Sequence, residues 1–323
     1  MSVHMICASH SPLMEAFQVE PPEHQSVVAA FEARARFVEA FQPELVIEFG
    51  SDHLTGFHYH VLPPICVGLS ARAVADIGGY PGDLRVPMEE ARALVTHLGA
   101  SDLDVAIAHE MVIDHGFSQA LHRLTGAIDR YPVIPIFLSA IAGHRPSPRR
   151  ARLLGKAVGE FARGLGKRVL ILGTGGLAHD PSLAFPDLEN APEEHRGYLV
   201  HGAAAGKQAT DLWLDRVNSL TLMASQMIAS GALGPEQIKL NASWDQDFLA
   251  RICSGRLDEF DDWTTDRMIA DAGSGAAECL QWIAAAAAAQ AAGCEPPVID
   301  LCVPVLTYII GVGVIHTPLP AIS

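Results

Sequence analysis

Four histidines fall at comparable places in the chain. His10 follows the run MICAS, His53 follows VIEFGSD, His115 follows VAIAHEMVID and His179 follows VLILGTGGLA. Imidazole titrates near neutral pH, so a histidine can ligate a metal when neutral or carry a proton in catalysis. A single loop histidine is most often just a polar surface group. Four that each end a β-like run form a pattern, because open α/β sheets bind ligands in the crevice outside the carboxyl ends of their strands. If the runs are neighbouring parallel strands, the four rings converge. Asp52 and Asp114 directly precede His53 and His115. Each is either a carboxylate that orients a ring or a turn and helix cap.

A metal site built from histidines usually needs an anionic ligand as well. Two imidazoles and one carboxylate on one face, with the other positions open, suit non-haem Fe(II) and its work with O2. Glu278 is the most pointed candidate. Gly273 and Ser274 look like a helix start, which puts Glu278 near the end of the first turn of an otherwise small and apolar helix. An acid there is either an inward-facing ligand or a charge favoured by the helix dipole. The stretch GTGGLAHDP (173–181) raises a separate question. Its last position breaks the GxGxxG dinucleotide pattern and no phosphate-binding lysine follows. A glycine turn that presents His179 explains it better, with glycine supplying backbone freedom.

The elements that must position these residues alternate. The β-like runs are VHMICAS (3–9), ELVIEFGS (44–51), LDVAIAHEM (103–111), YPVIPIFLSA (131–140), KRVLILGTG (167–175) and VLTYIIGVG (305–313), with helical patterns between them. This predicts an α/β fold, a central sheet covered by helices. From about 181 to 265 no strong strand signal occurs, and the stretch, with Trp213, Trp244 and Trp263, reads as a helical elaboration after residue 181. The run IAAAAAA (283–289) is too short and weakly apolar to span a bilayer and reads as a tightly packed helix.

Length and composition set limits. The 323 residues carry 22 basic and 37 acidic side chains, a balance of 22 − 37 = −15. That argues against nucleic acid as a partner, which needs basic clusters, but leaves room for a small anionic substrate held by one local cation. None of Cys7, Cys66, Cys253, Cys279, Cys294 and Cys302 lies in a CxxC pair. They read as reduced thiols, and with no leader-like or membrane-spanning segment the expected location is the cytoplasm.

Taken together, SHSPLM (9–14), PELVIEFGSDHLTGFHYHVLPPICVG (43–68), VIDHGFSQAL (112–121), VIPIFLSAIA (133–142), KRVLILGTGGLAHDP (167–181), NASWDQDFL (241–249), AGSGAAECLQW (272–282) and YIIGVG (308–313) resemble the class III, LigB-like extradiol catechol dioxygenases. The likeness is greatest to the bacterial branch that acts on 2,3-dihydroxyphenylpropionate. The DHGF and GGLAH stretches are specific in this order and spacing, and the resemblance runs nearly end to end, implying one ring-cleavage domain over residues 1–323. It implies that His10, His53 and Glu278 bind Fe(II) and that His115 and His179 are the acid–base pair, in a mixed α/β sandwich that forms homo-oligomers. Ala178 stands where relatives often carry serine. His58 and His60 stand where aromatic or acidic residues are more familiar, which puts the ring substituent in question.

The implied reaction is meta ring cleavage of a 3-substituted catechol by O2. The substrate would be 3-(2,3-dihydroxyphenyl)propionate or dihydroxycinnamate, with another substituted or bicyclic catechol as the alternative. A base must take a catechol proton and an acid must give one back when the O–O bond breaks, roles that suit two histidines. Phe57, Phe117 and Leu177 flank the site histidines and are candidates for an apolar pocket wall, or for ordinary core. Two rivals predict other behaviour: a zinc hydrolase, in which the metal activates water, and a metal-free binding protein on the same fold.

Overall fold

The computed structural model describes residues 2–318. Eleven strands form among the described residues: β1 (Ser2–Ala8), β2 (Leu45–Gly50), β3 (Ile65–Gly68), β4 (Ala71–Ala73), β5 (Gly82–Asp83), β6 (Ala106–Ala108), β7 (Met111–Ile113), β8 (Val133–Leu138), β9 (Arg168–Thr174), β10 (Val298–Val305) and β11 (Ile310–His316). Eight of them make one mixed sheet in the order β10-β11-β1-β9-β2-β8-β3-β6. The central four, β1, β9, β2 and β8, run parallel. They are rich in Val, Ile and Leu and buried on both faces, as parallel strands between helical layers must be. The remaining three strands form a small sheet, β5-β4-β7.

The helices are α1 (His24–Phe41), α2 (Met88–Ala100), α3 (His115–Thr125), α4 (Pro148–Gly164), α5 (Glu193–His201), α6 (Lys207–Ala229), α7 (Ala242–Cys253), α8 (Thr265–Ala272) and α9 (Cys279–Ala292). One face of the sheet packs on α2, α4, α7 and α9, the other on α1 and α3. The alanine run lies within α9, which is buried from Cys279 to Ala289. A helix apolar all round belongs in a core, and α4 makes room for it. A Cβ on Gly155 or Gly159 would come within 2.0 Å of the Ala284 or Ala288 carbonyl oxygen. The α/β class, the mixed sheet and the helical elaboration match the expectation. Among the described residues none between 175 and 297 is in a strand.

Two predicted runs come out differently. LDVAIAHEM splits at His109 and Glu110 into β6, in the main sheet, and β7, in the small one. His115 therefore ends a strand of the small sheet rather than the large one. The run from 305 to 313 breaks at a single helical turn, Leu306–Tyr308, with Ile309 at φ 59°. This turn joins the antiparallel pair β10 and β11. The short β3 gave no signal of its own, because it is held by antiparallel pairing to β8 and parallel pairing to β6.

Candidate metal centre and active site

Strand register brings the first two histidines together. β1 pairs with β9 so that Ala8 faces Thr174, and β9 pairs with β2 so that Gly173 faces Phe49. The chain leaves all three strands at the same edge, and His10, His53 and His179 follow. His115 arrives from the side as the first residue of α3, whose cap is Asp114. Ring nitrogens of His10, His53 and His115 lie within 4.8 Å of one another. His115 stacks on His53 with centroids 4.2 Å apart and meets the edge of His10 at 5.5 Å.

Glu278 faces three of these rings. Its Oε1 is 3.2 Å from His10 Nε2 and 3.5 Å from His53 Nε2, and its Oε2 is 3.9 Å from His179 Nε2. Ser51 Oγ–H donates to Oε1, and the Gly176 N–H donates to Oε2 at 2.8 Å. Glu278 does not sit in the first turn of an α-helix as expected. It closes a short 3-10 segment, Ser274–Glu278, just before α9. The glycines of the 173–181 loop have a different cause from the one expected. Neither Gly175 nor Gly176 has a positive φ. A Cβ on Gly175 would lie 2.7 Å from Glu278 Cβ, and one on Gly176 would lie 2.5 Å from His179 Cε1. Close approach of the carboxylate and the imidazole, not backbone freedom, requires glycine there.

Each ring is set by a partner behind it. His10 Nδ1 bonds with Thr174 Oγ1 at 2.8 Å, and His179 Nδ1 bonds with the Leu177 carbonyl at 2.8 Å. Asp114 accepts from the His53 N–H at 2.6 Å, sits 3.3 Å from His53 Nδ1, and caps α3 through the Gly116 N–H at 2.8 Å. It thus orients the ring of His53, not that of its neighbour in sequence. Asp52 accepts three backbone N–H bonds, from Thr55, Gly56 and Phe57, and shapes the turn. The partner of His115 is Asp76, whose Oδ2 bonds its Nδ1. No periodicity or motif marks Asp76 in the sequence.

The electrostatics follow from burial and these contacts. Burial lowers the pKa values of His10 and His179. Burial also opposes the charged form of His53, but Asp114 and Glu278 outweigh it and raise that pKa well above the ordinary value. Burial likewise opposes ionisation of Glu278, yet His10 and His53 hold it well below the usual carboxylate range. His10 Nε2 and His115 Nε2 are buried without a hydrogen-bond partner. Buried polar atoms need partners, and two imidazoles with one ionised carboxylate form a donor set suited to a first-row divalent metal. The residues His10, His53 and Glu278 fit such an ion.

A cavity of about 170 Å³ opens onto this cluster, with His10, His53, His115, His179 and Glu278 all on its wall. Phe57, Phe117 and Leu177 do not line it. Phe57 stacks on Phe137 at 3.9 Å. Phe117 covers Gly50, and Leu177 packs beside Gly311 and Gly313. The apolar wall comes instead from the helical elaboration, with Phe185, Leu220, Ala224 and Ile238. His58 and His60 also lie off the cavity. His58 is buried against Tyr198, its pKa lowered to about 4 by burial, and exposed His60 bonds the Val200 carbonyl. Ala178 packs with Ala272 and Ala276.

The family described as the catalytic LigB subunit of aromatic ring-opening dioxygenase matches residues 4–299. A protein of Burkholderia vietnamiensis named 2,3-dihydroxyphenylpropionate/2,3-dihydroxicinnamic acid 1,2-dioxygenase is 39% identical over 318 residues, covering 98% of this chain and 97% of its own. A Rhodococcus protein of the same name is 40% identical over 293 residues, 91% of each chain. The crystal structure of an uncharacterized Escherichia coli K12 protein matches with a TM-score of 0.52, covering 98% of this chain and 100% of its own. At 11% identity that is a likeness of fold alone. No helix among the described residues is long and apolar enough to cross a membrane.

Proposed function

The chain belongs to the LigB family of aromatic ring-opening dioxygenases and is a metal-dependent extradiol dioxygenase, and from that premise we propose its metal, residue roles and substrate. The metal is Fe(II), held by His10, His53 and Glu278. The substrate is a 3-substituted catechol of the dihydroxyphenylpropionate and dihydroxycinnamate type, the class named for relatives that align along nearly the whole chain. The observation that carries the reading is the convergence of two imidazoles and one ionised carboxylate at the floor of a cavity that two further histidines also reach.

Bound Fe(II) would supply the one-electron chemistry with O2 that closed-shell side chains lack. The protein's own residues bind the diol, orient it and move its protons. His179 donates Nδ1–H to the Leu177 carbonyl, so its neutral ring turns the Nε2 lone pair toward Glu278 and the cavity. His115, with Nδ1 on Asp76, likewise presents Nε2. Both are placed to take a proton from a catechol hydroxyl, and whichever has taken one can return it later in the reaction. Burial of the whole cluster keeps water from competing for those protons.

We read residues 1–323 as one ring-cleavage domain and the protein as a cytoplasmic homo-oligomer. The six free cysteines support a reducing compartment. An anaerobic reconstitution with Fe(II), followed by a panel of 3-substituted catechols and admission of O2, tests the function. Yellow ring-opened product with one O2 consumed per diol is the expected result. Iron-loaded protein that neither consumes O2 nor forms colour with any diol would remove the reading.

A further inference from the structure

The cavity is graded from floor to rim. The histidines and Glu278 form its floor, and Phe185, Leu220, Ala224 and Ile238 its apolar wall. The lining continues to the partly exposed Asp180 and the exposed Gln237. Lys239 stands at this rim, next in the chain to Ile238, with its Nζ 3.4 Å from Asp180 Oδ2. The gradient matches an amphiphilic ligand, with a diol at one end, an aromatic ring and a short carbon chain in the middle, and an anion at the other end. Resting on the reading of the floor as a diol-cleaving centre, we propose that Lys239 is a specificity-determining residue that receives the carboxylate of the substrate's side chain.

The backbone of Lys239 is fixed at the rim. The Asp180 N–H donates to the Ile238 carbonyl at 3.0 Å, and the Lys239 N–H donates to the Glu236 carbonyl at 3.3 Å. These bonds tie the turn to the loop that carries His179. Lys239 adopts φ 51°, a left-handed conformation that a non-glycine residue takes only at some cost. Its ammonium, by contrast, is loosely engaged. The 3.4 Å to Asp180 is longer than an ordinary N–H···O hydrogen bond. Asp180 is satisfied by other donors, since its Oδ1 accepts from the Ser274 hydroxyl at 2.8 Å and from the Ser182 N–H at 3.2 Å. Burial opposes ionisation of Asp180, but Ser182, Ser274 and Lys239 outweigh that and hold its pKa below the usual value. Asp180 is therefore an ionised positioning residue that keeps the ammonium at the rim by charge. A second carboxylate can take the N–H groups in charge-assisted bonds, the ammonium turning on its flexible four-carbon stem. The Lys239 side chain is 44% exposed, so the arriving anion keeps part of its water and avoids the cost of full burial. The methylenes behind it gain by lying on Leu220, Ala224 and Ile238.

The test compares 2,3-dihydroxyphenylpropionate with the uncharged 3-propylcatechol on the iron-loaded enzyme. Both kcat/KM and the anaerobic dissociation constant by calorimetry are measured, and the ratio of acid to uncharged ligand is read within each protein. Wild type should favour the acid. Lys239→Gln should lower that ratio by about fivefold to tenfold, a modest factor because the pair is partly solvated. Lys239→Arg should retain most of the preference, and Lys239→Glu should turn it toward the uncharged ligand. Raising the ionic strength should erode the ratio in wild type more than in Lys239→Gln. A ratio that Lys239→Gln leaves unchanged would overturn the assignment while leaving ring cleavage standing. A Lys239-dependent preference in binding without ring opening of any diol would keep the anion site and remove the dioxygenase reading beneath it.

Discussion

His115 is fixed by one carboxylate at two points. Asp76 Oδ2 bonds its ring Nδ1 and, at 3.3 Å, accepts from its backbone N–H. That leaves Nε2 of the neutral ring as the free nitrogen facing the cavity, so Asp76 acts by setting the tautomer and the angle of the ring. An Asp76→Asn amide can turn its N–H2 to the ring and permit the other tautomer. We expect kcat to fall on the order of 100-fold, with iron content unchanged and the pH profile of kcat altered. Single-turnover rates and metal analysis check this, and full turnover in D76N would take Asp76 out of the proton path. His115→Ala and His179→Ala should each cost about 10²–10⁴ in turnover and keep the metal. Glu278→Ala should instead lose metal affinity, read by chelator competition; retention of tight Fe(II) binding there would break the ligand assignment. The four histidines were legible because their residue type and their position after β-like runs agree. Asp76 was not, since its role depends on a loop meeting α3 far away in sequence. Phe57, Phe117 and Leu177 went astray for a related reason: neighbours of a site residue in sequence point away from it as often as toward it.

At the scale of elements, the sheet's parallel centre was readable because β1, β2, β8 and β9 are long, branched and apolar. β3, β6 and β7 have only three or four residues each, too few for a periodic signal, and their partners decide their conformation. The α4–α9 contact shows how closely the helical layer is fitted. In a helix interior Gly→Ala ordinarily stabilises by roughly 0.5–1 kcal/mol. At Gly159 the new methyl would stand 2.0 Å from the Ala288 carbonyl oxygen, so the two helices must separate. Gly159→Ala should therefore destabilise by about 1–3 kcal/mol in urea unfolding. Gly164, at the end of the same helix, has nothing within 4 Å of its would-be Cβ. Gly164→Ala should be neutral or mildly stabilising, and equal effects at the two positions would refute the packing argument. Because α9 follows directly on Glu278, displacement of this helix should also reach the carboxylate, lowering iron affinity in the Gly159 variant but not in the Gly164 variant.

Across the whole molecule three buried acids among the described residues, Glu48, Asp52 and Asp245, have ionisation that opposes folding, and the first and last can be tested without disturbing the active-site turn that Asp52 shapes. Glu48 lies in the centre of β2, flanked in register by Pro135 and Leu172, fully buried, with no hydrogen bond to either carboxylate oxygen. Burial raises its pKa well above the ordinary value. Asp245, on α7, accepts the Ala178 N–H at 2.8 Å beneath the His179 loop. Burial raises its pKa from 3.8 to about 7, against a smaller lowering from that hydrogen bond. From about pH 4 to pH 7 the unfolded chain has released the Asp245 proton while the folded chain still holds it. The unfolded state then binds fewer protons, so stability falls as pH rises across this window, with the full contribution present below it and lost above. The size is at most on the order of 4 kcal/mol. Glu48 adds a slope of the same sign, beginning near the ordinary glutamate pKa and extending upward. Asp245→Asn keeps an acceptor for Ala178 but has no proton to lose, so it should flatten the decline between pH 4 and 7. It should also make the protein more stable than wild type at pH 8. Glu48→Gln in the same background should flatten what remains. Urea unfolding at pH 5 and pH 8 for the three proteins measures it. A wild-type slope that survives both substitutions would assign the decline to Asp52, whose pKa burial and the neighbouring Asp114 also raise, and to the general repulsion of a chain carrying a net charge of −15.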